Sequence, residues 1–465
     1  MERKNAWKSY KQKAVKELDS LCDEYIDYLS TAKTERENVK LIREYCEKNG
    51  YKDMDDLIGK KKKVKAGDKL YRVCMNKSVV MFNVGIKPIE EGMNILGAHI
   101  DSPRMDVKQY PLYEKEELAY LDTHYYGGIK KYQWVALPLA LHGVIVKKDG
   151  TTVDVLIGED EKDPVFCVSD LLIHLAADQL EKKGAKVVEG EKLDVLFGSI
   201  PFVSKDKDEK EAKDAVKKNV LKLLKDKYDV EEEDFLSAEI EVVPAGRARN
   251  CGIDKSMVMA YGQDDKVCAF TSLKAMLDVK DVNKTTCTLL TDKEEIGSVG
   301  ATGMRSMFFE NTVAELLMLM GDYSELNLRR CLAKSSMLSS DVNAGYDPLY
   351  AEAFEHENAS FLGRGMVFSK FTGSRGKSGS NDANAEYIAK IRAMMDKNKI
   401  FYQCAELGKV DVGGGGTIAY ILSLYGMEVI DCGVAVLNMH APWEVTSKAD
   451  IYETYKGYKV FLKEA

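Results

Sequence analysis

The chain has 465 residues, of which 45% are hydrophobic and 31% are charged, and its net charge is −8 at pH 7. This length allows two or three domains with a sizeable core, and the acidic balance gives no reason to expect nucleic acid as a partner. The charged N-terminus lacks the apolar core of a signal peptide, and no apolar run approaches the roughly 20 residues of a membrane helix. Ten cysteines without CxxC spacing argue against a structural zinc cluster. We therefore expect free thiols, a cytoplasmic protein and no membrane partner.

The first hundred residues predict two helices followed by strands. Residues 6–30 carry apolar side chains at helical spacing. A second helix is predicted from Thr34, where TERE forms a capping box, to near Asn49-Gly50. Residues 69–86 read as a strand pair, and NILGAHIDS (94–102) is an apolar strand with a polar end.

The rest of the chain divides into two regions with different sequence patterns. Between about 105 and 245, short β runs (VIVK, TVDVLIG, LDVLFGSI, EIEVVPA) accompany a lysine- and acid-rich helical stretch at 205–234. From about 255, β runs and helices alternate through TCTLLTD, a helix near 379–397, GTIAYILSLYG and EVIDCGVAVLNMH. Such alternation predicts a doubly wound sheet. The predicted fold is therefore α/β, with one domain formed by residues 1–104 and 249–465 and a second, β-rich domain, 105–248, inserted into it.

Two of the six histidines follow apolar strands. His99 lies in GAHIDSP with Asp101 two residues on, and His440 lies in VLNMHAPWE. In open α/β sheets the carboxyl ends of the strands line the ligand crevice. Each histidine alone is equally well explained as an ordinary residue near the surface.

Two adjacent glutamates occur in LLTDKEEIGSVGATGM (289–304), directly after another apolar run. In a regular strand Glu294 and Glu295 would point to opposite faces, but at a turn both side chains reach one site. One carboxylate then binds a metal while its neighbour takes a proton from the activated water. The commoner explanation of such a pair is two solvated carboxylates in a polar loop.

Further carboxylates also stand next to apolar segments. Asp264 and Asp265 occur in YGQDDKVCAF, and Asp341 occurs in SSDVNAGYDP. Each is weak evidence alone. Together with the two histidines they form the mixed nitrogen and oxygen set that zinc, cobalt or manganese accepts.

These motifs resemble the aspartyl aminopeptidase and vacuolar aminopeptidase I family of two-zinc metallopeptidases over nearly the whole chain. The shared stretches are GAHIDSPR (97–104), YGQDDK, DKEEIGSVGATG (292–303), SSDVNAGYDP, GGGT (414–417) and NMHAPWE. The resemblance implies a zinc-peptidase domain with an inserted dimerisation domain. It also implies two Zn²⁺ per subunit, with Co²⁺ or Mn²⁺ as alternatives, and a homo-oligomer of twelve subunits built from dimers.

The resemblance carries over to individual positions. It implies that one metal is held by His99, Asp264 and Asp341, and the other by Asp264, Glu295 and His440, with Asp264 bridging. Glu294 resembles the general base, and Asp101 the carboxylate that orients the first histidine. His174, in SDLLIHLAADQ, resembles a histidine lent to a neighbouring subunit's active site. The implied substrate-binding residues are Gly415, Gly416 and Thr417, with Lys370 as the partner of a substrate carboxylate.

The predicted function is therefore hydrolysis of the N-terminal peptide bond of peptides, with two metals about 3.5–4 Å apart and Glu294 moving the proton. Many family members read W-F-D-R-D-L where this chain reads WVALPL (134–139). The preference for an acidic N-terminal residue is therefore not implied. Alternative functions are a two-metal amidase or deacylase on the same scaffold, or a non-catalytic structural particle. A binding protein would rest on the run KKKKVK (60–65), which in an acidic chain is more simply a solvated loop.

Overall fold

The computed structural model describes residues 3–203, 213–374 and 376–465. The helices are α1 Gln12–Thr31, α2 Glu35–Lys48, α3 Met54–Gly59, α4 Ala177–Leu180, α5 Gly184–Val187, α6 Ala215–Tyr228, α7 Gln263–Asp278, α8 Phe308–Met320, α9 Glu325–Ala333, α10 Ala385–Lys397, α11 Ala419–Ser423 and α12 Lys448–Glu464. The strands are β1 Lys52–Asp53, β2 Lys69–Cys74, β3 Ser78–Asn83, β4 Asn94–His99, β5 Arg104–Lys115, β6 Leu118–Tyr126, β7 Leu139–Val146, β8 Thr152–Ile157, β9 Cys167–Val168, β10 Val195–Gly198, β11 Ala238–Pro244, β12 Arg249–Cys251, β13 Met257–Ala260, β14 Thr286–Thr291, β15 Ser336–Ser340, β16 Asn343–Ala344, β17 Met366–Ser369, β18 Tyr402–Cys404, β19 Glu428–Gly433, β20 Ala435–Leu437 and β21 Glu444–Ser447.

The chain forms two compact units. The first unit comprises the chain up to Ser102 together with Ala248–Met439 and Glu444–Ala465. The second unit comprises Pro103–Arg247 and the short segment His440–Trp443. Each unit contains its own principal sheet.

The first unit is built on a nine-stranded mixed sheet in the order β1-β2-β3-β14-β4-β15-β19-β17-β18. At its centre β14, β4, β15 and β19 run parallel. The polar residues that follow these strands therefore emerge at one edge of the sheet. A smaller five-stranded sheet, β12-β13-β21-β20-β16, belongs to the same unit.

Helices cover both faces of the nine-stranded sheet. Successive residues of β4 show this, because Ile95 packs in one hydrophobic cluster and Leu96 in another. The cluster around Leu96 includes side chains from α1, α2, α7, α10 and α12. The cluster around Ile95 includes side chains from α3, α8, α9 and α11. This two-sided burial is what a doubly wound sheet requires, and the predicted α/β fold class is confirmed.

The second unit is β-rich. Its seven strands follow the order β8-β7-β11-β5-β6-β10-β9, and neighbouring strands pair antiparallel. Helix α6 occupies Ala215–Tyr228 within the predicted helical stretch 205–234. Residues 205–212 of that stretch lie outside the described residues.

Two predicted helices illustrate how local signals set boundaries. The capping box at Thr34 is formed, since the Thr34 hydroxyl accepts from the Glu37 amide at 3.2 Å and the Glu37 carboxylate accepts from the Thr34 amide at 3.0 Å. The helix predicted near 379–397 begins only at Ala385. Gly379 has a φ of +70°, which the interior of a right-handed helix does not accommodate. Across the described part of the chain, no helix is both long enough and apolar enough to pass through a membrane.

Candidate active site and metal centre

Three polar segments meet at the carboxyl edge of the central parallel strands. His99 is the last residue of β4, Asp341 directly follows β15, and the glutamate pair follows β14 after a two-residue link. Because β4 lies between β14 and β15, these segments are neighbours in space although they are far apart in sequence. The edge is the one at which open α/β sheets bind ligands.

The glutamate pair lies in a single 3-10 turn, Glu294–Ile296. The residues on either side, Lys293 and Gly297, have φ angles of +70° and +94°. These two left-handed residues reverse the chain at both ends of the turn, and glycine adopts such a conformation without strain. The turn therefore ends the strand sharply and keeps both glutamates at the edge of the sheet.

A fourth acidic segment comes from the start of α7. Asp264 and Asp265 depart from helical geometry there, with ψ angles of 106° and 28°. The Ser102 hydroxyl donates to the Asp264 carbonyl at 2.8 Å, and the Asp264 amide donates to the Glu444 carboxylate at 3.0 Å. These two contacts hold the main chain of Asp264 from both sides.

The acidic side chains gather around the imidazole of His99. Its Nε2 lies 3.2 Å from Asp264 Oδ1 and 3.9 Å from Asp341 Oδ1. Ligand atoms form two sets within which all atoms lie within 4.8 Å of one another: His99, Asp265 and Asp341, and His99, Asp264 and Glu295. The structure thus brings together four of the five predicted metal ligands, and adds Asp265 to them.

Asp101 connects the histidine to the glutamate turn. One of its carboxylate oxygens accepts from the Glu294 amide at 3.1 Å and the other from the Glu295 amide at 3.2 Å. His99 Nδ1 lies 3.1 Å from the Asp101 carbonyl oxygen and 3.3 Å from Asp101 Oδ1. A single buried carboxylate therefore sets the orientation of the ring and the position of both glutamates.

The electrostatics of the cluster are those of crowded, buried acids. Burial raises the pKa of Asp341 well above its ordinary value, and the charges of Asp264 and Glu294 raise it further. Burial likewise raises the pKa of Asp265, against the opposing effect of His99. For His99, burial lowers the pKa, but hydrogen bonds to Asp101 and Asp264 outweigh it, so the net pKa is raised. Such a set of groups is stabilised by an added positive charge.

The donor set fits zinc. One imidazole nitrogen and several carboxylate oxygens are ligands that zinc accepts in hydrolytic enzymes. The nitrogen Nε2 of His99 faces the carboxylates, while Nδ1 is engaged by Asp101, as is usual for a metal-ligating histidine. The chemistry of these residues therefore matches the expected metal.

Two predicted site residues belong to the second unit. His440 lies in the segment His440–Trp443, where its Nδ1 lies 2.8 Å from the Gly128 carbonyl oxygen. His174 is exposed in a 3-10 turn, Ile173–Leu175.

The predicted substrate-binding residues lie on two loops of the first unit. Gly415 donates its amide to the Thr372 carbonyl at 3.2 Å, Gly416 is exposed, and the Thr417 hydroxyl donates to Asp431. Lys370 directly follows β17, and its side chain is exposed. A cavity of about 280 Å³ is lined by residues 371–374, 376–377, 406–411 and 413, which are next to these loops in the sequence.

Three residues that shape this region have no individual role that the sequence predicts. Asp265 is a candidate ligand on the same evidence as Asp264, because adjacent carboxylates give no indication of which one faces a metal. Glu444 was part of the NMHAPWE motif, and its contact with the Asp264 amide spans 180 residues of sequence. Asp431 reads as an ordinary strand residue of EVIDCG, and no sequence signal identifies its partner.

Comparison with known proteins supplies the family context. The model of the family described as aminopeptidase I zinc metalloprotease (M18) matches residues 28–462. The chain is similar to the probable M18 family aminopeptidase 1 of Clostridium acetobutylicum, with 60% identity over 461 residues, which is 99% of this chain and 98% of the relative. It is 42% identical over 465 residues to the protein of the same name in Thermotoga maritima, covering 100% of this chain and 99% of the relative.

Solved structures agree with these relatives. An M18-family aminopeptidase from Thermotoga maritima superposes with a TM-score of 0.94 at 42% identity, covering 100% of both chains. Aminopeptidase I from Clostridium acetobutylicum superposes with a TM-score of 0.92 at 56% identity, again covering 100% of both chains. The similarity therefore extends over both units.

Proposed function

The chain belongs to the aminopeptidase I zinc metalloprotease (M18) family, and we propose that it removes N-terminal residues from peptides with two metal ions and Glu294 as the general base. That it is a zinc-dependent aminopeptidase follows from the family and from a relative 60% identical over the whole chain. The family assignment favours this activity over an amidase, a deacylase or a structural particle. The metal count and the role of each residue are the proposal.

The proposed metal ligands are those of the cluster together with His440. His99 and Asp341 hold one ion, Glu295 and His440 hold the other, and Asp264 bridges the two. Support comes from the two overlapping sets of ligand atoms around His99. Asp265 belongs to one of these sets and is the alternative to Asp264 as the bridge. Bound zinc supplies Lewis-acid polarisation of the scissile carbonyl.

The observation that carries the proposed mechanism is the contact of Asp101 with both amides of the glutamate turn. It holds Glu294 beside the cluster, where the negative charge of Glu294 acts on both His99 and Asp341. From this position Glu294 accepts a proton from the attacking water and delivers it to the leaving amine. Asp101 acts through position, since its own oxygens are occupied by the turn.

Hydrolysis of a panel of aminoacyl-p-nitroanilides tests the activity. Asp, Glu, Leu, Met and Lys derivatives, assayed with zinc, cobalt and manganese, give the preferred residue and the preferred metal. N-acetylated forms of the same substrates are the matched controls, because an aminopeptidase needs the free amine and a deacylase removes the acyl group. Release of acetate without release of p-nitroaniline would replace the proposal by a deacylase.

Substrate binding is proposed for the loops that flank the cavity of about 280 Å³. Gly415, Gly416 and Thr417 contact the peptide main chain, and Lys370 pairs with a substrate carboxylate. Support comes from the hydrogen bond between Gly415 and Thr372, which ties the glycine-rich loop to the opposite arm of the cavity. The cavity itself is the proposed pocket for the N-terminal side chain.

We also propose that the protein is a homo-oligomer, a dodecamer built from dimers, with His174 completing a neighbour's site. The side chains around His174 support an interface, since Leu172, Ile173 and Leu175 are 53%, 67% and 67% exposed. Consecutive exposed apolar side chains of this size mark a protein contact more often than bare surface. The partner that fits is a second copy of the chain, in which His174 donates to the developing oxyanion.

The proposed compartment is the cytoplasm. All ten cysteines are free thiols, and six of them are buried. A chain of this composition without disulfides suits a reducing compartment.

A further inference from the structure

A buried carboxyl group lies inside the nine-stranded sheet, outside the cluster around His99. Asp431 is a residue of β19, only 3% exposed, and it stands opposite Ser339 of β15 and Ser369 of β17. Its Oδ1 accepts a hydrogen bond from the Thr417 hydroxyl. Its Oδ2 is buried and, among the residues that the structure describes, has no hydrogen-bond partner. A carboxyl group in this setting is costly to bury, and Thr417 is the side chain that donates a hydrogen bond to it.

Thr417 stands at the end of the glycine-rich loop, next to the metal-binding edge. The following residue, Ile418, packs against β4, where a Cβ placed on Gly97 would lie 3.8 Å from Ile418 Cδ1. Gly97 is two residues before His99 in the same strand. The loop therefore reaches the edge of the sheet at which the cluster lies.

The direction of the hydrogen bond between Asp431 and Thr417 determines whether the Thr417 hydroxyl can donate or accept a further hydrogen bond. An ionised carboxylate only accepts, so the single proton of the hydroxyl is directed inward. The Ala419 amide donates to the same oxygen at 3.4 Å. A hydroxyl oxygen has two lone pairs, and the second remains able to accept from a donor outside the loop.

We propose that Asp431 is a positioning residue that keeps Thr417 Oγ1 a hydrogen-bond acceptor for the free α-ammonium group of the substrate. This inference rests on the proposed aminopeptidase function, because that function requires a substrate with a free N-terminal amine. An ammonium group is a donor only, so it is recognised by an oxygen whose own proton is turned away. A hydrogen bond to a charged donor is about twice as strong as a neutral one, which makes the contact effective in substrate binding.

The side chains that face Asp431 are uncharged, so burial is the main influence on its pKa. Its neighbours across the sheet are serines, and Thr417 is its contact from the loop. The adjacent Cys432 points to the other face, towards the Tyr458 hydroxyl. Burial raises the pKa of Asp431 to about 7, against the lowering effect of the Thr417 hydrogen bond. Below that pH the protonated carboxyl donates to Thr417, and the threonine proton turns outward against the ammonium group.

Four variants test this arrangement, with KM and kcat measured on the best p-nitroanilide of the panel. Thr417→Val keeps the shape and removes the hydroxyl, Thr417→Ser keeps the hydroxyl, Asp431→Asn removes the charge, and the last variant combines Thr417→Val with Asp431→Asn. We expect Thr417→Val to raise KM roughly tenfold with kcat nearly unchanged, and Thr417→Ser to restore most of the loss. At pH 8, Asp431→Asn should have a higher KM than wild type. The increase in KM that wild type should show as the pH is lowered from 8 to 6 should be absent from this variant. The double variant should be no worse than Thr417→Val alone, because both changes remove one interaction.

Asp450→Asn is the matched control. Asp450 is also a fully buried carboxyl of the first unit, but it contacts the amides of Gly363 and Gly365 instead of the glycine-rich loop. It should keep the wild-type KM and the wild-type pH profile of KM. A rise in KM equal to that of Asp431→Asn would overturn the inference, since any lost buried carboxyl would then have the same effect. Additive losses in the double variant would overturn it as well.

A pair of competitive inhibitors identifies the substrate group involved. The pair consists of the amide of the best amino acid in the panel and the same amide without its α-amine. Wild type should favour the amine-bearing member, and Thr417→Val should reduce that preference by roughly tenfold. An unchanged preference would mean that Thr417 does not contact the ammonium group. A wild-type protein that hydrolyses no aminoacyl substrate would instead refute the proposed function, so the two failures are distinguishable.

Discussion

At the scale of single residues, the site separates groups that bind from a group that moves a proton. His99, Asp264, Asp341 and Glu295 direct ligand atoms towards one another. Glu294 is joined to them by its neighbour in the turn and by the contact of its amide with Asp101. The proposed roles of the two adjacent glutamates therefore differ in what their loss should change.

Replacing Glu294 by Gln should remove most activity and leave zinc content nearly intact. The substitution keeps the shape of the side chain and removes its capacity to carry a proton, a role worth roughly 10²–10⁴-fold in rate. The measurements are kcat on the best panel substrate and zinc by mass spectrometry. Glu386→Gln, an exposed glutamate of α10, is the control and should behave as wild type. A Glu294→Gln variant that keeps more than about a tenth of wild-type kcat excludes Glu294 as the base.

Asp264→Ala and His440→Ala should differ in how many metal ions they lose. The proposed bridge is Asp264, so its removal weakens both ions, whereas removal of His440 weakens mainly one. Metal analysis of the two purified variants provides the comparison. If each variant loses a single ion, Asp264 does not bridge, and Asp265, whose ligand atom groups with His99 and Asp341, takes its place.

At the scale of elements, the residues of the site lie at strand ends and in turns. Some of the helices and strands that position them can be predicted from the sequence, and others cannot. Helices α1 and α2 carry apolar side chains at helical spacing, whereas strands β2 and β3 are short runs rich in apolar residues without a periodic pattern. Helix α7 was not predicted, because nearly all of its residues are buried and no polar face remains to mark a helix. The metal-binding candidates can be identified from the sequence because they stand next to apolar runs. The hydrogen bonds of Asp101 span about two hundred residues of sequence, which no local pattern reveals.

Asp101→Asn should disturb the glutamate turn as a whole. An amide has one acceptor oxygen, so one of the two amides of the turn meets an NH₂ group instead. We expect kcat or zinc affinity to fall by roughly 10–100-fold, the usual scale for a partner that orients metal ligands. Zinc titration and kinetics of the variant provide the check. If the variant keeps the wild-type zinc affinity and the wild-type kcat, contacts other than those of Asp101 hold the glutamate turn in place.

Asp450→Asn should change how stability depends on pH. Asp450 lies in the first turn of α12, and burial raises its pKa to about 8 against the lowering effect of the Gly363 and Gly365 amides. Between its ordinary pKa of 3.8 and about 8, the folded state therefore binds a proton that the unfolded state has released. Stability contributed by this group falls as pH rises through that window. The Tm of Asp450→Asn should improve relative to wild type between about pH 5 and about pH 8. If the difference in Tm between the variant and wild type does not change with pH, the pKa of Asp450 in the folded protein lies outside this range.

At the scale of the whole molecule, the proposed assembly makes activity a property of more than one chain. His174 lies in the second unit, within a run of exposed apolar residues, and every ligand in the cluster around His99 lies in the first unit. If a neighbour supplies the histidine, an isolated subunit lacks a part of its site. This is testable without knowing the full symmetry.

Mixed particles should recover activity that neither parent has. His174→Ala should cost roughly 10²–10³ in kcat with metal content unchanged, the scale of losing one oxyanion donor. Co-assembly with Glu294→Gln subunits gives dimers in which one site has both an intact base and an intact borrowed histidine. Random pairing should restore about a quarter of wild-type activity, because half of the dimers are mixed and one of their two sites is competent. Proven co-assembly without recovery would assign His174 a purely structural role.

The position of β4 determines when this protein becomes an enzyme during its own synthesis. Asn94 of β4 pairs with Thr286 of β14, and the entire continuous part of the second unit is translated between them. On its other side β4 pairs with β15, which is made later still. Most of the chain must therefore be synthesised before His99 lies next to the carboxylates of the cluster, because two strands far apart in sequence pair only when both have been made. Until then the nascent chain lacks the strand pairing that brings His99 next to the acidic residues after β14 and β15.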